Sequence, residues 1–216
     1  MRPPSAIISG CAALLLPVVM WSEFIGTGLS RPGYNLLTRA TSDLATRGVP
    51  HAQAFTIGFF YLSGALATLV GLGLWRTARA GQLWRLGSAM VVSAGVLLVL
   101  TGLFPQDPAS AAATALHREV SQACFALAAP APLVLLLGAP DGALPGTHRW
   151  LWLALGLAGV GIEVTAVLAR MSLTFPEGLF QRPYTVVFTA WFVVTGIWLL
   201  RRSGTPVVTT EAATFS

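Results

Sequence analysis

The chain has 216 residues, of which 55% are hydrophobic and 10% charged, with a formal net charge of +5. A water-soluble domain usually carries about 25% charged residues, so a soluble fold would leave too much apolar surface wet, and the bilayer is the natural solvent. All thirteen basic residues are Arg, scattered through loops and never interleaved with aromatics in a run, which speaks against nucleic acid and for a membrane surface.

Six apolar stretches can span a bilayer, taken here in chain order. Arg2 and the run behind it could open a signal peptide, but most of that run follows Cys11 and no cleavage site follows Met20, so a retained first helix over about 6–28 is expected, with Pro17 and Glu23 inside it. The longest loop, 29–52, carries Arg31, Tyr34, Asn35, Arg39, Ser42, Asp43 and Arg47 and ends at His51. The second helix is expected over about 53–75, followed by an acid-free loop with Arg76, Arg79 and Arg85. The third covers about 86–104 and runs into Gln106 and Asp107; the fourth covers about 118–139, opened by His117 and kinked by Pro130 and Pro132. A Pro- and Gly-rich turn at 140–148 leads to the fifth, about 149–170, which holds Glu163. Gln181 and Arg182 precede the sixth, about 184–200, closed by Arg201 and Arg202. The expected fold is thus all-α: a polytopic transmembrane bundle of about six helices, one domain over 1–203 with a flexible tail at 204–216.

Gly64 and Gly71 share a face of the second helix, and Gly95 and Gly102 share one of the third; small residues there let membrane helices approach closely. Trp75, Trp84, Trp150 and Trp152 fall near one boundary and read as interfacial belt residues. Cys11 and Cys124 lie about 15 Å apart in depth, too far for a disulfide, and read as small packing residues. Arginines divide almost evenly between the two sets of loops. The short, acid-free second loop decides for both termini in the cytoplasm of a bacterial inner membrane.

On that topology the polar residues collect at the outer end. Glu23 and Glu163 lie in the outer halves of spans, where an ionisable group usually faces the bundle interior or a water-filled cavity. With Asp43, Asp107, His117 and Arg182 they define a candidate outward-facing pocket. Asp43, His51, Asp107 and His117 have metal-ligand chemistry, though no tight ligand motif is present. The two rim histidines could also hold a haem, and Ser42 beside Asp43 could serve as a nucleophile. Arg182 and Arg118 have the fork geometry for a phosphate or carboxylate.

Tyr34-Asn35, Ser42-Asp43-Leu44, Gly102-Leu103-Phe104-Pro105-Gln106-Asp107 followed by His117, and Gln181-Arg182 resemble the bacterial and archaeal membrane family catalogued as domain of unknown function 998. The resemblance covers about residues 6–200. It implies a six-helix membrane fold and no particular chemistry. The expected function is that of a membrane protein whose pocket binds a lipid, another amphipathic ligand or a membrane-protein partner. A lipid hydrolase or metal-dependent transferase, and a small transporter, are the alternatives; no cofactor is firmly implied.

Overall fold

The computed structural model describes residues 4–76, 81–172 and 177–202. Arg2, Arg79 and the expected tail at 204–216 lie outside the described residues.

Six helices are long and apolar enough to cross a membrane, so the chain is a multi-pass integral membrane protein. They are α1 (Pro4–Ser30), α2 (Ala52–Arg76), α3 (Gln82–Leu103), α4 (Ala111–Leu137), α5 (Gly146–Ser172) and α6 (Glu177–Arg202). Each packs on the next, and α1 packs on α6, which closes a ring. The C-terminal ends of α1, α3 and α5 share one end of the bundle, called here the long-loop end.

Close approach of α2 and α3 explains their glycines. A Cβ on Gly64 would lie 2.6 Å from the Gly95 carbonyl oxygen, and one on Gly95 would lie 2.7 Å from that of Gly64. Backbone meets backbone there, as expected for small residues in membrane helices. Cys124 is buried and donates from Sγ to the Ala94 carbonyl at 3.3 Å, while Cys11 faces outward.

Two helices are irregular. The α4 helix stops at Ala128 and restarts at Ala131, because Pro130 and Pro132 cannot supply backbone N–H groups. Its first half packs on α3, and its second half packs on α3 and α5. In α2 a π-helical stretch, Thr56–Leu62, follows a single α-turn. The sequence carries no proline there to announce it, only Gly58. Such wide turns often mark functional sites, and this one delivers Phe59 and Phe60 to the interior.

Three expectations are corrected. First, α4 begins at Ala111 and α6 at Glu177, each two turns earlier than the apolar runs suggest. Residues such as Arg118, Gln122, Gln181 and Arg182 break the hydrophobic run but not the helix. Second, His117 therefore lies within α4 and does not open it. Third, Trp84 and Trp152 are 0% exposed rather than interfacial. They stack at 6.2 Å and meet Trp198 at 5.9 and 5.8 Å. Trp84 finds a partner for its indole N–H in the Leu74 carbonyl at 2.8 Å, which makes burial tolerable. Trp75 and Trp150 are exposed, as belt residues should be.

Candidate functional site

The long loop folds down onto the bundle end and is clasped from two sides. On one side stands Arg182, in the second turn of α6. Its Nε donates to the Leu36 carbonyl at 2.7 Å, one terminal nitrogen donates to Thr41 Oγ1 at 2.7 Å and Gln181 Oε1 at 3.5 Å, and the other donates to Tyr34 Oη at 3.2 Å and to the Arg39 carbonyl. Gln181 Oε1 also accepts from the Thr41 backbone N–H at 2.8 Å, and the Gly178 N–H donates to the Thr38 carbonyl at 3.2 Å. A guanidinium has five N–H groups, and here each has an acceptor. Tyr34 in turn donates to the Ala40 carbonyl at 2.8 Å; burial raises its phenol pKa against the opposing pull of Arg182.

On the other side stands the α3–α4 connection. Gln106 donates to Ser42 Oγ at 3.0 Å, accepts from Thr46 Oγ1 at 3.4 Å, and its carbonyl accepts from the Arg47 N–H at 2.9 Å. Asp107 pairs with Arg47 at 3.0 Å and accepts from the Ala109 N–H at 2.9 Å, turning the chain into α4. Asp43 lies 3.9 Å from Arg39. Burial nevertheless raises its carboxyl pKa, outweighing the attraction of Arg39 and Arg31.

Beneath the clasped loop lies a cavity with about 870 Å³ of empty space, its open mouth included. Its upper wall is polar: Thr41, Ser42, Gln106, His117, Gln122 and Gln181, with Ser121 and Thr185 beside them and Arg118, Arg170 and Glu177 at the mouth. Its floor is apolar: Met20, Phe59, Phe60, Phe125, Tyr184 and Phe188. The outer half of α4 and α6 form facing walls. Below, Ala128, Tyr184 and Phe188 also line an apolar crevice between α4, α5 and α6, with Pro132, Leu155, Gly159 and Val187.

His117 is the polar group held most firmly in this wall. It is 2% exposed, with Nδ1 at 2.7 Å from the Phe104 carbonyl and 3.2 Å from that of Thr101. Both partners are acceptors, so Nδ1 carries the proton and Nε2 the lone pair. Nε2 is buried and makes no hydrogen bond with the described residues. The Phe60 ring stands edge-on to the imidazole at 6.3 Å.

The six residues expected to form one pocket therefore separate. His117 lines the cavity. Arg182, Asp43 and Asp107 lie at the same end but serve the loop, since their polar atoms are taken by backbone and by arginines. Arg182 consequently has no N–H left for a phosphate. Glu23 is half-buried against the π-helical turn, where a Cβ on Gly58 would collide with its carboxyl group at 2.4 Å. Glu163 is half-buried on α5 and makes no hydrogen bond with the described residues; neither glutamate lines the cavity.

Among the described residues no three His, Cys, Asp or Glu side chains come together as a metal set. Asp43, His51, Asp107 and His117 are spread between loop, rim and cavity. His51 is exposed in a left-handed conformation (φ 62°) at the start of α2 and does not line the cavity that holds His117, so the two are not placed as axial ligands of one haem. Ser42 Oγ accepts from Gln106 and makes no hydrogen bond with a His nitrogen among the described residues. Sequence reasoning placed Gln106 at the polar end but missed Ser121, Gln122 and the phenylalanine floor. The i, i+4 spacing of His117 and Ser121 on one helical face was the available signal, hidden because α4 was started too late.

A family profile described as "Protein of unknown function (DUF998)" matches residues 10–198. Comparison with curated proteins and with solved structures gives no match.

Proposed function

The chain belongs to that family, and from its own geometry we propose that it binds an amphipathic, lipid-like molecule in the cavity beneath the long loop. One observation carries this reading: a single cavity is polar at its mouth and apolar and aromatic at its floor, and the floor shares Ala128, Tyr184 and Phe188 with an apolar crevice between helices. Small-molecule sites likewise combine apolar walls with a few placed polar groups. A polar head would lie among Gln106, Gln122 and Gln181. A tail would run down past Phe125 and Phe188 toward Ala128. We place this site on the non-cytoplasmic face of a bacterial inner membrane; the short, acid-free connection after α2, flanked by Arg76 and Arg85, supports that placement.

Ala128 is buried and lines both spaces, so a large side chain there should block the tail path. The test is mass spectrometry of lipids that remain after mild solubilisation and exchange into a synthetic detergent. An amphipath retained near one per protein and lost from Ala128→Trp is expected. Equal lipid content in both proteins, at the level of bulk carry-over, would overturn the reading.

A further inference from the structure

We infer that the head of the bound amphipath is neutral and carries a hydrogen-bond donor, a hydroxyl or amide N–H, that is received by His117 Nε2. This rests on the reading of the cavity as an amphipath site and specifies its ligand class.

The polar groups of the cavity differ in what they can still offer. Arg182, the residue nearest in type to a phosphate receptor, has an acceptor for every N–H. Gln181 Oε1 already accepts from Thr41 N–H and Arg182, and Gln106 is spent on Ser42, Thr46 and Arg47. Arg118 and Arg170 are exposed at the mouth, where water solvates them at no cost. His117 is the contrast. Its Nδ1 edge is tied to the last turn of α3, and the ring lines the cavity with a buried acceptor that the described residues leave unanswered. A buried polar atom without a partner costs more than a satisfied one gains. A site is built to recognise a group when such an atom is paired only on binding, and it then rejects analogues that lack that group. The complementary group to a lone pair is a donor, which hydroxyl and amide heads have. A carboxylate or phosphodiester head presents only acceptors, and its charge would have to enter a wall with no free cation deep inside.

The orienting bonds make a clean variant available. In His117→Asn the side-chain N–H₂ can still donate to the Phe104 carbonyl, while the Nε2 acceptor is gone. The probes are a monoacylglycerol, the fatty acid of the same chain length and the matching lysophosphatidylcholine, each titrated into the full-length protein in detergent. Binding is read by native mass spectrometry, and the imidazole ¹⁵N signal of His117 is followed by NMR. The expected result is preference for the monoacylglycerol, a perturbed Nε2 signal, and about a tenfold loss of that affinity in His117→Asn with unchanged melting. Tighter binding of the fatty acid or lysolipid, indifferent to His117→Asn but abolished by Ala128→Trp, would overturn the donor-head inference and leave the amphipath site standing. Binding of none of the three, with Ala128→Trp indistinguishable from wild type, would overturn both. Were His117→Asn to melt early, an unmoved Nε2 signal on adding monoacylglycerol to the wild type would by itself refute the inference.

Discussion

The guanidinium carbon of Arg182 lies 4.4 Å from the centroid of the Phe24 ring, so a cation at the start of α6 is stacked on an aromatic at the end of α1 while its N–H groups hold the loop between α1 and α2. One side chain thereby joins two helices and the longest connection. Stacking and a planar fork are properties of Arg that Lys lacks. Arg182→Lys should destabilise the protein by about 2 kcal/mol, several lost hydrogen bonds at about 1 kcal/mol each being partly recovered by the ammonium. Thermal unfolding in detergent measures it; an unchanged midpoint would show that the clasp contributes nothing.

The α2–α3 contact predicts a steric asymmetry among the glycines. Gly64→Val and Gly95→Val drive a side chain into the opposing backbone and should each cost about 1–3 kcal/mol. Gly26 and Gly161 have nothing within 4 Å of the added carbon. Alanine at either should be neutral or slightly stabilising, since Ala is the better helix former. Retained stability in Gly95→Val would contradict the close approach.

Asp43 carries a pH signature. Its carboxyl pKa is raised in the folded protein by burial, so the folded state binds this proton more tightly than the unfolded state. The associated stability is fully present below the ordinary carboxyl value and is lost as pH rises through the raised one. At neutral pH the charged form is therefore a burden on the fold. Asp43→Asn should melt higher than wild type at neutral pH, and the difference should shrink on acidification through the carboxylate range. A variant that melts lower at neutral pH would mean that the Arg39 and Arg31 attractions outweigh burial.

Glu163 lies within a span, lines no cavity and makes no hydrogen bond with the described residues. Replacing it with an apolar residue removes a polar group without stranding a partner, a change that is usually neutral or stabilising. Glu163→Leu should leave both melting and monoacylglycerol affinity within error of wild type. A selective loss of affinity would bring Glu163 back into the site.

Membrane sidedness is open to direct chemistry. In a background with Cys11→Ala and Cys124→Ala, single cysteines at Ala109 and Gly81, both exposed and on opposite ends of α3, should label oppositely with an impermeant thiol reagent. Labelling of position 109 from outside is expected. Labelling of position 81 from outside instead would turn the cavity toward the cytoplasm.

The number of helices, the lipid-facing character of the chain and the α2–α3 glycine contact were legible from residue order, because bilayer thickness dictates how long an apolar run must be and small side chains are needed wherever backbones touch. Helix ends were legible only where hydropathy and helicity stop together. At α4 and α6 they do not: the last two turns at the long-loop end are helical yet polar on one face, so His117 read as a helix opener and Gln181 and Arg182 as loop. That displacement hid the cavity, since His117 and Gln181 of its polar wall stand on those turns. The same limit applies to the charged candidates. Arg182, Asp43, Asp107 and His117 share one level of the membrane, which spacing along the chain could show. Whether a given polar atom is already satisfied depends on which carbonyls the loop brings to it, and those contacts span as many as 146 residues of sequence. Arg182 was consumed by the fold and His117 Nε2 was left unanswered, a distinction that belongs to three-dimensional hydrogen-bond geometry and to no local pattern of residues.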